Sequence, residues 1–273
     1  DGGLFTPENI NIHINVDELT NLSYQQIATK VIHAFLDDFT EEEISSSVNQ
    51  AYDNKFDTEE IVPLHKIEDA YLMELYHGPT SAFKDIALTL LPHLLIQSYN
   101  KENRHDTISI LTATSGDTGK AALSGFADVK HTAITVFYPE VGVSQVQKKQ
   151  MQTATGDNVE VIAVKGNFDD CQRMVKEATQ DPQVLASLHN VTISSANSIN
   201  VGRLIPQVVY YYSSYCKLVK DGAIQCGDPV NFVVPTGNFG DILAGYLAYR
   251  TGLPVNQLIC ASNSNNVLTD FLN

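Results

Sequence analysis

From about residue 61 onward the chain repeats one phrase: a short apolar run, a loop of small and polar residues, then a stretch of helical spacing. Residues 70–76, 107–111, 131–138, 158–164, 191–193, 229–234 and 258–261 read as strands. Residues 83–99, 120–126, 144–155, 168–180, 201–220 and 241–250 read as helices between them. Strands separated by helices cannot close as hairpins, so the alternation predicts parallel βαβ units. The strands are short apolar runs, as expected where helices cover both faces of a sheet. Ligands in such folds bind outside the carboxyl ends of the strands, which directs attention to the strand-to-helix loops.

The first 60 residues differ. Asp1-Gly2-Gly3-Leu4-Phe5-Thr6-Pro7 reads as loop, residues 17–38 as a helix, and Thr40 with Glu43 as a capping box ahead of Ile44, Val48 and Tyr52. This segment carries no chemistry and is expected to pack against a larger body. The expected division is an N-terminal helical segment over 1–60, a large α/β domain over 61–106 and 190–273, and a smaller α/β domain over 107–189 inserted into it.

Composition excludes several classes. The 273 residues are 43% apolar and 18% charged, so wholesale disorder is out. No apolar run reaches the roughly 18 to 20 residues of a membrane span. Net charge is −15, which argues against a polyanionic partner but not against a small anion held by backbone N–H groups. Four cysteines, at 171, 216, 226 and 260, form no C-x-x-C pair and have no histidine at zinc spacing. They read as structural thiols of a reduced, cytoplasmic protein, with no secretion signal and no metal site. Asp1 at the start and an apolar pattern running to Asn273 suggest a fragment cut at both ends.

Three loops could carry chemistry. In Pro235-Thr236-Gly237-Asn238-Phe239-Gly240-Asp241 a strand runs through two glycines into a helix, and the N–H groups of 237–240 would form an anion cup. Taken by itself the loop reads first as an ordinary tight turn. Thr112-Ala113-Thr114-Ser115-Gly116-Asp117-Thr118-Gly119-Lys120 packs hydroxyls into a surface suited to a carboxylate, and equally into a well-capped turn. In His77-Gly78-Pro79-Thr80-Ser81-Ala82-Phe83-Lys84-Asp85, Lys84 falls in a first helical turn, where the helix dipole disfavours an ammonium. That field, with partial burial, would lower its pKa and yield a nucleophilic amine. A lone lysine reads first as a surface residue paired with a carboxylate. A depressed lysine, a phosphate cup and a hydroxyl loop together are the parts of a pyridoxal-phosphate site.

These three motifs, with Asp1-Gly2-Gly3-Leu4-Phe5 and Ser195-Ala196-Asn197-Ser198-Ile199-Asn200, resemble those of the threonine synthase family in kind and order across nearly the whole chain. The resemblance implies a fold-type II α/β enzyme of two parallel-sheet domains, converting O-phosphohomoserine and water to threonine and phosphate with pyridoxal 5'-phosphate. It implies that Lys84 forms the Schiff base and moves the substrate's Cα proton, and that Gly237, Asn238, Phe239 and Gly240 hold the cofactor phosphate. Ser115, Asp117 and Thr118 would meet the substrate carboxylate, Asp117 by shaping the loop. Arg203, Lys148 and Lys149, with Asn197 and Ser198, are candidates for the substrate phosphate. Arg203 reads equally as a structural residue beside its helix. The family's partner for the ring nitrogen is expected beyond residue 273. Two other readings stay open: a phospho-lyase that eliminates phosphate from an O-phospho amino acid without adding water, and a non-catalytic remnant of the fold. No nucleic-acid or membrane partner is expected, and the oligomeric state is not read from the sequence.

Overall fold

The computed structural model describes residues 10–198, 200–235, 238–264, 266, 267 and 270. The chain forms two compact units. One comprises residues 1–45, 62–74 and 204–273, and the other residues 46–61 and 75–203.

The second unit is built on a four-stranded parallel sheet. Its strands are β3 (Thr107–Ala113), β4 (Thr132–Pro139), β5 (Val159–Val164) and β6 (Val191–Ser194), in the order β5-β4-β3-β6. The register runs Ile108 to Thr132 and Ala113 to Phe137 between β3 and β4, so both strands end at the same edge. Burial alternates strictly along β3 and through most of β4. The two central strands thus have one buried face and one partly covered face, and β5 and β6 at the edges are only partly covered, where uniform burial was expected. The dry face carries Ile108, Ile110, Ile134 and Val136. Against it pack Leu88 and Leu91 of α3 (Lys84–Lys101), Leu123 and Phe126 of α4 (Asp117–Phe126), and Met151 of α5 (Gln145–Gln152). Each such side chain stabilises the fold by about 1.5–3 kcal/mol.

Gly125 lets α3 and α4 approach: a Cβ there would lie 2.0 Å from the Leu88 carbonyl oxygen. The connection from α4 to β5 is tied by Asn158, whose Nδ2 donates to the carbonyls of Phe126 at 2.8 Å and Thr132 at 3.0 Å. α6 (Phe168–Gln180) also packs on β3 and β4 and buries Cys171. It opens on a capping box between Asn167 and Asp170.

The first unit holds α1 (Tyr24–Phe35), an antiparallel hairpin of β1 (Leu64–Ile67) and β2 (Ala70–Met73), most of α8 (Val201–Lys220), and the parallel pair β7 (Val230–Pro235) and β8 (Val255–Ala261) joined by α9 (Gly240–Arg250). Its interior is mostly aliphatic, with a cluster of buried tyrosines contributed by α8. Tyr211 meets Phe232 edge-on at 4.9 Å, and Tyr212 shares a hydrogen bond of 2.9 Å with Thr251.

Three expectations change in detail. Residues 17–38 are not one helix: a single 3-10 turn, Val16–Glu18, precedes α1, because Ser23 and Gln26 close a capping box that starts a new helix. The run at 70–76 ends at Met73 and pairs antiparallel with β1 across the two residues Glu68 and Asp69, Glu68 having φ +50°. Pro182 does not follow a helix end alone. With Asp181 as its cap it opens α7 (Pro182–Ser187). The capping box of Thr40 and Glu43 is present at the head of α2 (Glu41–Ala51). Among the described residues no helix is long and apolar enough to cross a membrane, and no group of three or more His, Cys, Asp or Glu could hold a metal ion. The four cysteines are unpaired.

Candidate active site

Lys84 is the first residue of α3, and Phe83 before it offers no side-chain cap. What holds the preceding turn is the next residue, Asp85. Its carboxylate accepts from Thr80 N at 2.8 Å and Thr80 Oγ1 at 2.6 Å, and it is 1% exposed. Burial raises the Asp85 pKa, against the hydrogen bonds from Thr80 and Ala82. Ser81 completes the turn with φ +55°. Neighbours on a helix point about 100° apart, so the residue that anchors the turn sends Lys84 another way.

Lys84 meets Asp117, the first residue of α4, with Nζ 3.7 Å from Oδ2. Its side chain is 20% exposed, and the amine lies 4.9 Å from the centroid of the Phe83 ring. Burial lowers the Lys84 pKa. Asp117 opposes that shift, and the charges of Arg203 and Lys120 reinforce it. Lys84 thus stands at a helix start, and desolvation contributes most to the lowering of its pKa.

Asp117 is crowded by donors. Gln147 Nε2 donates to Oδ1 at 2.7 Å, and Lys120 Nζ lies 3.3 Å from the same oxygen. Burial works against its charge, but Gln147, Lys84 and Lys120 outweigh that and leave its pKa below the usual carboxylate value. Lys120 is buried and also donates to the Thr80 carbonyl at 2.9 Å, so it links α4 to the turn before Lys84. The loop between β3 and α4 is shaped by buried Thr114, whose hydroxyl accepts from Gly116 N and Gly119 N, each at 3.0 Å. Ser115 is exposed and Thr118 half-buried, and with Gly116 as the N-cap it is the Thr114 hydroxyl that caps the first turn of α4, at Gly119 N.

Arg203 is 5% exposed, and its Nη1 donates to the Ala196 carbonyl at 2.8 Å. Burial pulls its pKa down to about 10. The same segment is braced by Asn200, whose side chain donates to Ser195 O and accepts from Gly202 N, each at 2.9 Å. Asn197 and Ser198 are exposed, and Ile199 lies outside the described residues. Lys148 donates to the Glu140 carbonyl at 3.3 Å, and Lys149 is exposed.

In the first unit α9 begins at Gly240 without a side-chain cap, after Asn238 and Phe239; Gly237 lies outside the described residues. Asp241 fixes the start of this helix. Its Oδ1 accepts from Tyr210 OH at 2.5 Å and Tyr211 OH at 3.0 Å, both from α8. Burial raises the pKa of Asp241, of Tyr210 and of Tyr211.

Lys120, Gln147, Thr114 and Asp85 did not figure among the candidates read from sequence. Lys120 had one signal, its i, i+3 spacing from Asp117 on a helical stretch. Gln147 had none, since only the fold brings it to Asp117 from 30 residues away.

The chain aligns end to end with proteins of known kind. Over all of its length it is 41% identical to the threonine synthase of Pseudomonas aeruginosa, covering 56% of that protein. It is 39% identical to human threonine synthase-like 1, covering 38% of it. It superposes on the crystal structure of pyridoxal-phosphate-bound threonine synthase from Brucella melitensis with a TM-score of 0.88 at 36% identity, over 99% of this chain and 57% of that one. The chain therefore spans about half the length, or less, of the relatives it matches. The model of the threonine synthase N terminus matches residues 1–52. With residues 57–273 matching the model of the pyridoxal-phosphate dependent enzymes, and with Lys84 and the glycine turn both standing at helix starts, the chain belongs to that enzyme family.

Proposed function

We propose that the protein converts O-phosphohomoserine and water to threonine and phosphate, using pyridoxal phosphate attached through Lys84. The observation that carries this is the amine of Lys84: largely desolvated, at a helix start, with its pKa lowered, in a chain that aligns throughout with threonine synthases. The cofactor condenses with a neutral amine, so a buried lysine biased toward neutrality suits it. The glycine turn suits its phosphate. Phe239 gives the start of α9 no side-chain cap, and a Cβ at Gly240 would meet nothing within 4 Å among the described residues, so there is room beside that helix start for an anion.

When bound, the cofactor supplies an electron sink that acidifies the substrate's Cα–H bond. The chain's residues do the rest. Lys84, biased toward its neutral form by burial, takes the Cα proton. Asp117 meets two lysines and a glutamine amide, so its charge is answered and a substrate carboxylate can be received by Ser115 and Thr118 at the start of α4. Lys148 and Lys149, with Asn197 and Ser198, supply charge and hydrogen bonds for the substrate phosphate. Arg203, buried on the Ala196 carbonyl, holds that segment and adds positive potential at Lys84. A cytoplasmic setting fits four unpaired cysteines.

Similarity to threonine synthase-like 1 favours a second reading, a phospho-lyase built on the same lysine. Product analysis separates the two. Threonine and phosphate from O-phosphohomoserine support the first, and a 2-oxo acid with ammonia supports the second. Borohydride reduction in the presence of pyridoxal phosphate, followed by peptide mapping, should place the label on Lys84. A label elsewhere, or none, removes both readings and leaves a non-catalytic domain.

A further inference from the structure

Asp117 is one negative charge facing two lysines, and the two are not equivalent. Lys120 has two acceptors: Asp117 Oδ1 at 3.3 Å and the Thr80 carbonyl at 2.9 Å. Lys84 has the other Asp117 oxygen at 3.7 Å, with the Phe83 ring beside its amine. An ammonium needs several close acceptors when it leaves water, and a neutral amine needs fewer. Buried Lys120 has that arrangement, and Lys84 does not. The other groups around Lys84 are Arg203, a third positive charge, and Asp85, whose carboxylate is turned away to Thr80 and Ala82; Gln147 is neutral. With both lysines and Arg203 charged, one carboxylate would answer three cations. The cluster sheds a proton where the acceptors are poorest.

We propose that Lys120 is a positioning residue: held between Asp117 and the Thr80 carbonyl, it answers part of the Asp117 charge and places its own positive charge beside Lys84, which favours the neutral amine there. This rests on the reading of Lys84 as the reactive amine given above. The same contact pins the Thr80 carbonyl to α4 and so fixes the turn that aims Lys84. Without the Lys120 charge, Asp117 would pair with Lys84 and hold it as an ammonium.

The test uses the full chain with neither substrate nor cofactor. Brief reductive methylation at a series of pH values, read lysine by lysine by mass spectrometry, gives the pH at which each amine becomes reactive. In the unaltered protein Lys84 should become reactive at lower pH than exposed Lys149. In Lys120→Met the Lys84 midpoint should rise by about one pH unit while that of Lys149 stays. Lys120→Arg, which keeps the charge, should leave Lys84 with the unaltered protein. If Lys120→Met does not fold, Lys120→Gln, whose amide can still donate to Thr80, carries the same expectation. A Lys84 midpoint unmoved or lowered in the folded neutral variants overturns the role of Lys120 alone. A Lys84 that titrates with Lys149 in the unaltered protein overturns the reading of Lys84 itself.

Discussion

Two aspartates open two helices in this chain, each just after a parallel strand and a loop of small residues, and their surroundings are opposite. Asp117 at the start of α4 faces Lys84, Lys120 and Gln147, and its pKa is lowered. Asp241 in the first turn of α9 faces two tyrosine hydroxyls and, among the described residues, no cation as a hydrogen-bond partner, and its pKa is raised. Cations keep a carboxylate charged and give a cluster in which a proton has more than one place to go. Phenols satisfy the carboxylate and fasten the helix start to α8. The same residue at the same kind of loop thus serves reactivity in one unit and fixed geometry in the other.

The largest expected effect separates these roles. Lys84→Ala should cost at least about 10³-fold in kcat and leave the thermal midpoint near that of the unaltered chain, as the lysine makes no hydrogen bond that the fold depends on. Asp241→Ala should instead lower stability by about 1–3 kcal/mol, read by urea denaturation, because it takes the carboxylate from two buried phenols and leaves Tyr211 the residue-241 backbone carbonyl and Tyr210 only the longer contact to Gln207 at 3.4 Å. If Lys84→Ala unfolds the protein, or Asp241→Ala leaves stability unchanged, the division of roles fails.

Next in size is the contact that spaces the first of these regions. Lys84 rides on α3 and Asp117 on α4, and the two helices meet at Gly125. A methyl group there runs into backbone rather than a flexible side chain, so the helices must separate. Gly125→Ala should cost about 1–3 kcal/mol in the same denaturation assay. It should also reduce turnover more than the stability loss explains, since the Lys84–Asp117 distance changes with it. Full activity in a destabilised Gly125→Ala protein would show that this spacing is not critical.

The sequence showed these regions unequally. Lys84 stood out because a cation in a first helical turn contradicts the helix dipole, and the glycine turn before Asp241 stood out because an apolar strand runs directly into it. The βαβ alternation was legible for the same reason: period and punctuation are local. What was hidden depends on distant residues. Gln147 reads as one more polar residue beside Lys148 and Lys149 until the fold carries α5 to α4. Tyr210 and Tyr211 read as core aromatics, and only their partner Asp241, 31 and 30 residues away, shows their hydroxyls in use. Leu64-His65-Lys66-Ile67 is too polar to read as a strand, and β1 exists because β2 pairs with it. Asp181-Pro182 has two local meanings, a stop after α6 and a start for α7, and both apply.

The smallest effect is the sharpest comparison, because it asks for opposite signs. Asp241 has a raised pKa in the folded state, so folding favours its protonated form. Its contribution to stability is fully present below its unfolded value, near 3.8, and is lost as pH rises through the folded value. Asp117 has a lowered pKa, so its contribution is present above about 3.8 and is lost as pH falls through the folded value. Urea denaturation of Asp241→Asn and Asp117→Asn across this range, each as a difference from the unaltered chain, isolates the two terms. The Asp241→Asn difference should become more favourable as pH rises above 3.8. The Asp117→Asn difference should become less favourable as pH rises toward 3.8, and by the smaller amount of the two, since that carboxylate is partly exposed and its pairs are screened. Slopes of the same sign would mean that Lys84 and Lys120 do not hold Asp117 charged, and with that the electrostatic contrast between the two helix starts would be gone.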